Sequence, residues 1–449
     1  MKLTPKVQPS ERGRLGLLAF LFFVNALVLE SNEVVSTSGF VSNVAVSAIL
    51  VVWAVVALIA LLTSGAYSLF VDRVHRGRLA VGILYGFGVL YLLLYVAFRA
   101  QAPDYLTYGF LAIFTEQQWT LLPLLIWALA NDVFSVAEAK RLFPILSGAT
   151  LLGSIAGNSL AASLGLWFRG SSYSLLVLNA ALVLAAGTVL LLFLTRLRLG
   201  AQPSVKEDGL ADIVREGLTF VREIPAYRYL AVTMMFMGVA LNTIEYQFLL
   251  DVTRVYQGQA QIETFYGVFK LLTIPVLLVL QAGVLSWLLK HLGFRSIFAI
   301  MPAVMLLSVT LALFWISPLG GFVLVTGAIV GDYLARVARV GVDQPSSAAF
   351  LGLVPDQRRG RVSAFMDGFL YPLGSLLGCL VIGAILIVAQ WTGQTPLFTR
   401  TLYLVLAFLC AAGALVAILA FNRSYDVSML NYRLKRRKRG RSVLDDIAL

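Results

Sequence analysis

YSLLVLNAALVLAAGTVLLLFLT, residues 173–195, is a run of 23 residues without a charged side chain. A helix rises about 1.5 Å per residue, so about 20 apolar residues cross the hydrocarbon core of a bilayer. Similar runs recur along the 449-residue chain, which is 59% hydrophobic and only 13% charged, about half the charged share of soluble domains. This composition excludes a disordered chain and a soluble multidomain enzyme, and it predicts a polytopic membrane protein.

The length criterion predicts an all-α protein with about twelve transmembrane helices. The spans begin near Leu15, Val44, Leu79, Tyr105, Leu142 and Tyr173, then near Tyr229, Thr264, Ser296, Leu319, Val362 and Thr401. Between the two sets, apolar residues recur at helical spacing in a polar stretch, which predicts an amphipathic helix on the membrane surface. The predicted domains are a six-helix bundle at residues 1–195, a cytoplasmic linker at 196–228, a second six-helix bundle at 229–421 and a basic tail at 422–449.

The distribution of basic residues predicts the orientation of the chain. With the amino terminus in the cytoplasm, 30 of the 35 Lys and Arg residues fall on the cytoplasmic side. We therefore expect both termini in the cytoplasm, and the short basic amino terminus favours a plasma (inner) membrane. The seven basic residues at 433–441 favour an anchor at the membrane surface, with an anionic lipid as an alternative partner and no nucleic acid expected.

The chain carries none of the common motifs of soluble enzymes. HExxH, GxxxxGK[ST] and GxSxG do not occur, both cysteines lie in apolar runs, and the two histidines lie in separate basic loops. We therefore expect a protein that is not an enzyme and that binds no metal and no cofactor.

Ionisable residues inside the predicted spans are candidates for a substrate or coupling site, because charge is costly in lipid. Glu30 and Glu33 share one face of the first span, and Glu116 begins a stripe along the fourth. Glu116 and Glu245 have no cation within one turn, which favours a functional role, whereas Asp332 and Arg336 are spaced for a local ion pair. The candidates are Glu30, Glu33, Glu116, Trp119, Trp127, Asn242, Glu245, Lys270, Asp332 and Arg336.

Charged residues near the predicted cytoplasmic ends form a second set. If these residues form ion pairs in only one conformation of the transport cycle, they act as a cytoplasmic gate. The alternative for Lys140 and Arg141 is interface snorkelling or an ion pair that fixes a loop. The gate candidates are Asp72, Arg73, Lys140, Arg141, Arg359, Arg361 and Asp367.

The two halves of the chain share a spacing of one basic residue and two glycines. Lys140 precedes Gly153 by 13 residues, Arg361 precedes Gly374 by 13, and a second glycine follows each of these glycines after four residues. Glycines four apart allow two helices to approach closely in lipid. Two sets of six spans that share this spacing of basic residues and glycines resemble a major facilitator-type transporter, whose substrate site lies between its halves.

Two sequence blocks resemble a known transporter family. WALAN at 127–131 and EAKRLFPILSG at 138–148 resemble the W-x-x-A-N and E-A-K-R-x-[FY]-P elements of the ATP/ADP translocase family of plastids and intracellular bacteria. LNTIEY at 241–246, FYG at 265–267 and RVSAFMDG at 361–368 are similar to further elements of that family. The resemblance implies exchange of nucleotides across a membrane. It also implies that Glu245 corresponds to the glutamate of one of the family's sequence elements.

The chain departs from this family at charged positions. Glu30 and Glu33 stand where the family has basic residues, and Pro372 and Ser375 stand where it has an arginine and a lysine. The interior balance of acids over cations is poor for a di- or triphosphate and fair for a cation, an amine or a proton-coupled neutral solute. We expect a secondary transporter resembling ATP:ADP antiporters. The alternatives are a proton-coupled transporter of a cationic, lipophilic or lipid-like solute and a membrane scaffold or sensor without transport.

Overall fold

A computed structural model of the chain describes residues 7–71, 76–167, 172–194, 210–315, 325–351, 362 and 365–441. Its helices are α1 (Arg12–Asn43), α2 (Ile49–Val71), α3 (Arg76–Arg99), α4 (Asp104–Val133), α5 (Val136–Trp167), α6 (Leu175–Leu194), α7 (Leu210–Glu223), α8 (Pro225–Val255), α9 (Gln259–Val279), α10 (Leu285–Ile297), α11 (Ile300–Phe314), α12 (Gly327–Ala338), α13 (Gln344–Leu351), α14 (Tyr371–Trp391) and α15 (Pro396–Arg441). Three short π-helical segments, Leu280–Val284, Arg339–Asp343 and Met366–Leu370, adjoin these helices.

The prediction of a polytopic all-α membrane protein is confirmed. Among the described residues, seven helices are long and apolar enough to cross a membrane, or eight if the bent pair Gly217–Glu223 and Pro225–Val255 forms one span. Ile49–Thr63 and Ile300–Phe314 are shorter apolar helices. The twelve predicted spans correspond in sequence to helices α1–α6, α8, α9, α11, α12, α14 and α15. The predicted start of the tenth span, Leu319, lies outside the described residues.

The chain divides into two compact units. Unit 1 consists of Met1–Asp208 and Leu249–Val276, and unit 2 of Gly209–Phe248 and Leu277–Leu449. The last turns of α8 and most of α9 therefore pack within unit 1, although they lie in the second half of the sequence. The predicted domain limits at residues 195, 229 and 421 stay predictions.

In unit 1, glycines bring α5 against α1. A Cβ atom added at Gly153 or Gly157 would lie well inside 3.0 Å of a backbone carbonyl oxygen of α1, that of Phe23 or Leu27. Side chains larger than hydrogen cannot fit at these two positions without moving the α1 backbone. The spacing of four residues therefore marks a close helix crossing, as the sequence pattern predicts.

In unit 2, the matching glycines bring α14 against α8. A Cβ atom at Gly374 would lie 2.5 Å from the Met235 carbonyl oxygen, and one at Gly378 would lie 3.1 Å from Val239 Cα. Gly238 on α8 faces the same contact, since its Cβ would lie 2.9 Å from the Gly374 carbonyl carbon. Each glycine pair thus lies where a helix crosses the first span of its half.

Helix α7 is the predicted amphipathic helix of the linker, and its buried side contacts protein. A Cβ atom at Gly217 would collide with the Phe365 ring, and Phe220 and Val221 are buried in a core cluster of unit 2 together with Phe350. Gly217, Phe220 and Val221 therefore pack within unit 2, whereas Leu218 is exposed, and the location of this helix at the membrane surface stays a prediction.

Candidate functional site

Two glutamates on α1 and a lysine on α9 form a buried ion cluster inside unit 1. Lys270 Nζ lies 2.6 Å from Glu30 Oε2 and 2.7 Å from Glu33 Oε2. The Lys270 side chain is 9% exposed and that of Glu33 is 25% exposed. We call Glu30, Glu33 and Lys270 the α1–α9 triad. With one ammonium and two carboxylates, the ionised triad carries one net negative charge.

Each carboxylate of the triad accepts a second hydrogen bond from a neutral side chain. Asn158 Nδ2 on α5 donates to Glu30 Oε2 at 3.0 Å, and the Tyr266 hydroxyl on α9 donates to Glu33 Oε1 at 3.3 Å. A glycine also allows α9 to approach α5 here, because a Cβ atom at Gly267 would lie 3.0 Å from the Asn158 carbonyl oxygen. The triad therefore lies where α1, α5 and α9 are closely packed.

A second ion cluster lies in unit 2. Arg336 Nη2 on α12 lies 3.3 Å from Glu245 Oε1 on α8 and 3.4 Å from Asp332 Oδ2 on its own helix. Asp332 is 6% exposed, whereas Glu245 is 34% exposed. The local Asp332–Arg336 pair is present. Glu245 has no cation within one turn of its own helix, and its cation comes from α12.

Asn242, one turn before Glu245, connects α8 to α14. Its Nδ2 donates to Ser375 Oγ at 2.8 Å and to the Ser375 carbonyl oxygen at 2.9 Å, and it lies 3.1 Å from Cys379 Sγ. The side-chain amide of Asn242 is therefore already hydrogen-bonded at the point where glycines allow α8 and α14 to cross closely. Beside this contact, the Arg339 guanidinium lies over the Tyr371 ring at 4.0 Å.

The predicted stripe on α4 contains residues in two environments. Glu116 and Trp119 are exposed, on the side of α4 away from the interior of unit 1. Trp127 packs against Phe22 and Phe143, with ring centroids 4.6 Å and 5.1 Å away. Trp127 is thus a packing residue here.

The opposite side of α4 carries a polar network that sequence reasoning missed. Gln118 is fully buried, donates to Asn25 Oδ1 of α1 at 2.9 Å and accepts a hydrogen bond from the Tyr91 hydroxyl of α3. Buried amides of this kind are satisfied only by partners on other helices, and the sequence does not show those partners.

Of the predicted gate residues, Arg141 has a described side chain, and it forms an ion pair within unit 1. Arg141 Nη2 lies 2.7 Å from Glu11 Oε1, at the starts of α5 and α1. Arg14 Nη2 lies 3.2 Å from Glu138 Oε1 at the same two helix starts. Asp72, Arg73, Arg359 and Arg361 lie outside the described residues, as do the side chains of Lys140 and Asp367.

Hydrogen bonds to backbone N–H groups hold the pKa of both glutamates down. The Ser135 backbone N–H donates to Glu138 Oε2 at 2.8 Å and, with the Ser135 hydroxyl and Arg14, holds the pKa of Glu138 below its usual 4.5. The Gln8 backbone N–H, with Arg141, likewise lowers the pKa of Glu11. Both carboxylates are therefore ionised at neutral pH, and their ion pairs join the starts of α1 and α5.

Two buried acids near the α8–α9 connection were also missed. Glu263 is fully buried and accepts a 2.7 Å hydrogen bond from Gln259 Nε2, and buried Asp251 lies 3.7 Å from Arg254. Neither residue is among the candidates named from the sequence. A usable signal was present, because Glu263 and Lys270 are seven residues apart and so share one helical face.

The described ranges contain no group of three or more His, Cys, Asp or Glu side chains that could hold a metal ion. The two ion clusters contain charge pairs and hydrogen bonds.

Comparison with known proteins identifies the family. The family model described as TLC ATP/ADP transporter matches residues 103–344, more than half of the chain. No curated protein sequence matches this chain.

Solved structures of transporters share the fold. The nucleoside transporter NupG is 14% identical, with a TM-score of 0.65 over 92% of this chain and 98% of its own. An auto-inhibited POT family peptide transporter is 13% identical, with a TM-score of 0.65 over 92% and 97%. A bacterial homologue of the iron transporter ferroportin, inward-facing, is 14% identical, with a TM-score of 0.60 over 93% and 100%. At these identities the likeness shows a major facilitator-type fold alone, and it is the family match that assigns the chain: this membrane transporter belongs to the TLC ATP/ADP transporter family.

Proposed function

We propose that the chain is a secondary active transporter that exchanges adenine nucleotides across the membrane by alternating access. The family match and the major facilitator-type fold support a transporter of this class. The observation that carries the substrate proposal is the arrangement around Arg336 in unit 2.

Buried Asp332 accepts from both Nε and Nη2 of Arg336, and the more exposed Glu245 lies 3.3 Å from the same Nη2. Both contacts, at 3.3–3.4 Å, are longer than the roughly 2.8 Å of a strong charge-assisted hydrogen bond. A phosphate group can replace Glu245 and bind the guanidinium in a bidentate manner. Asp332 would stay in place and keep the guanidinium oriented.

Exchange in proteoliposomes tests this proposal. Vesicles preloaded with unlabelled ADP should take up labelled ATP in a saturable manner, and vesicles without internal nucleotide should not. Arg336→Gln should lower this uptake by about tenfold or more, the loss expected when one good charge-assisted contact is removed.

Arg99→Gln is the matched control, because Arg99 is an exposed arginine at the end of α3 in unit 1. Its uptake should equal that of the unaltered protein. The proposal is wrong if folded protein takes up no ATP, or if Arg336→Gln takes it up as fast as Arg99→Gln.

A second candidate function is proton-coupled transport of a cationic solute. The observation in its favour is that each described cluster places two carboxylates on one cation, Glu30 and Glu33 on Lys270, and Glu245 and Asp332 on Arg336. Uptake of a labelled amine that follows an imposed pH gradient, in vesicles without nucleotide, would support this candidate over nucleotide exchange.

A further inference from the structure

We propose that Arg339 is a second phosphate-binding residue of unit 2. One phosphoryl group of a di- or triphosphate contacts Arg336, and the neighbouring phosphoryl group contacts the Arg339 guanidinium in a bidentate manner. This inference rests on the proposed nucleotide exchange and names the residue that distinguishes a phosphate chain from a single phosphate group. Arg339 is not among the candidates named from the sequence.

The first argument is the position of the two arginines along one helix. Arg336 lies in the last turn of α12, and Arg339 is the residue that directly follows this helix. Side chains three residues apart share a helical face, with their Cβ atoms about 5–6 Å apart. Two long guanidinium side chains at this spacing can bind adjacent phosphoryl groups of one molecule.

The second argument is the environment of Arg339. Its guanidinium carbon lies 4.0 Å from the centroid of the Tyr371 ring, which is a cation–π contact. Such a contact positions a guanidinium on the face of a ring and uses no carboxylate. Within the part of the chain that the structure describes, no Asp or Glu side chain lies within ion-pair distance of Arg339, whereas Glu245 lies on Arg336. A phosphate group can therefore bind Arg339 without displacing a described acid.

The third argument is the place of the two arginines in the fold. Arg336 reaches Glu245 of α8, Arg339 reaches Tyr371 of α14, and the Asn242 side chain joins α8 to α14. Helices α8, α12 and α14 thus meet within unit 2, and both guanidiniums lie where they meet. Both arginines are partly exposed, so a solute can reach them without opening a packed core.

The backbone that carries Arg339 also favours a binding role. Arg339 begins the π-helical segment Arg339–Asp343, and π-helical turns are rare and frequently lie at functional sites. A Cβ atom at Gly341 would lie 2.6 Å from Leu280 Cδ1, so this segment packs closely against the π-helical segment Leu280–Val284. The backbone that carries the Arg339 side chain is therefore held by packing within unit 2.

The proposed contacts differ between a phosphate chain and a single phosphate group. A di- or triphosphate replaces Glu245 on Arg336 and extends to Arg339, while Asp332 and the Tyr371 ring keep the two guanidiniums in place. A single phosphate group is too short to occupy both guanidiniums in this way. Loss of Arg339 should therefore weaken the binding of a phosphate chain more than the binding of a single phosphate group.

Isothermal titration of the purified full chain in detergent tests the site without transport, with inorganic pyrophosphate and orthophosphate as probes. Arg339→Gln should weaken pyrophosphate binding about tenfold, the loss expected for one charge-assisted contact, and weaken orthophosphate binding less. Arg99→Gln should bind pyrophosphate like the unaltered protein, because Arg99 is exposed on α3 of unit 1. The proposal is overturned if Arg339→Gln binds pyrophosphate as tightly as Arg99→Gln, or if the unaltered protein binds none.

Arg339→Lys gives a second variant should Arg339→Gln fold poorly. It keeps a cation beside the Tyr371 ring and loses the planar fork of N–H donors, so its pyrophosphate affinity should lie severalfold below that of the unaltered protein. An affinity equal to that of the unaltered protein contradicts the bidentate contact at Arg339.

Transport separates the failure of this inference from failure of the proposed substrate. In vesicles preloaded with ADP, unlabelled ADP and AMP compete with labelled ATP for uptake. Arg339→Gln should lower the preference for ADP over AMP about tenfold, and Arg99→Gln should show the preference of the unaltered protein. Pyrophosphate binding that needs Arg339, without ATP exchange, supports the phosphate site and refutes the nucleotide substrate. ATP exchange with the same preference in Arg339→Gln as in Arg99→Gln refutes the role of Arg339 alone.

Discussion

Asp332 and Arg336 lie one helical turn apart on α12, and the Asp332 carboxylate is almost completely buried. At the scale of single residues, the neighbours of a charged side chain decide how costly its loss is. Removing one partner of a buried ion pair leaves the other uncompensated, which costs more than the pair itself contributes.

We therefore expect Arg336→Met to destabilise the protein by about 3 kcal/mol, the lower end for a broken buried pair because Arg336 is partly exposed. The double variant Asp332→Asn with Arg336→Met removes the orphaned charge and should recover part of this loss. Thermal unfolding of the purified protein in detergent measures both changes. A double variant no more stable than Arg336→Met would refute the uncompensated charge as the cause.

At the scale of helices, α5 owes its position to the glycines that face α1 and to the residues that cap its start. Gly157 has no space for a methyl group because a carbonyl oxygen of α1 lies against it, and its Cβ would also lie 3.1 Å from Glu30 Cβ. Gly148 on the same helix has open space, with nothing within 4 Å of an added Cβ. These two glycines therefore separate the effect of helix packing from the effect of helix propensity.

Gly157→Ala is expected to lower stability by about 1–3 kcal/mol, because the α1 backbone must move to admit the methyl group. Gly148→Ala should instead stabilise by up to about 1 kcal/mol, since alanine favours a helix over glycine. Thermal unfolding of the two variants side by side measures the contrast. Equal shifts for both would contradict close packing at Gly157.

The capping of α5 predicts a pH dependence. Ser135 and Glu138 bond each other's backbone N–H groups, and the Glu138 pKa lies below its usual 4.5. A carboxylate with a lowered pKa in the folded state stabilises the protein fully above the usual value, and this contribution is lost as pH falls through the lowered pKa.

Between about pH 7 and about pH 3, the unaltered protein should therefore lose more stability than Glu138→Gln, which has no carboxylate to protonate. Thermal unfolding at a series of pH values provides the measurement, with Asp104→Asn as the variant of an exposed acid. The same slope for Glu138→Gln and the unaltered protein would show that this cap contributes nothing to acid sensitivity.

At the scale of the whole molecule, the basic residues predict the orientation in the membrane. Two of the five basic residues assigned to the outer side are buried in protein: Lys270 in the triad and Arg400, which donates to the Ala312 carbonyl oxygen at 2.7 Å. Among the residues that are not buried in protein, the excess of Lys and Arg on the predicted cytoplasmic side is therefore larger than the count of 30 against five suggests.

Reporter fusions in a bacterial inner membrane test this orientation. Alkaline phosphatase fused after Leu449 should be inactive and a fluorescent protein fused there should fluoresce, since the tail is expected in the cytoplasm. Phosphatase fused to a chain truncated after Gly258, in the α8–α9 connection, should be active. The reverse pattern at both positions would contradict the predicted orientation.

The sequence by itself determined the features that depend on local chemistry. Apolar runs long enough to cross a bilayer identify a polytopic helical protein, and the blocks at 127–131 and 138–148 identify its family. The helical period also places Glu30 and Glu33 on one face, and the glycine spacing marks the crossings of α5 and α14. Each of these properties follows from helix rise, helix period and side-chain transfer free energy within one segment.

Only the tertiary structure decided which charges on different helices meet. Tyr266 reaches Glu33 across 233 residues, and Arg336 reaches Glu245 across 91. The periodicity of a helix shows which side chains share its own face, but the rotation and neighbours of that face depend on packing against other helices. For that reason the sequence showed Lys270 only as a candidate residue inside a predicted span, and the fold made it the partner of two carboxylates.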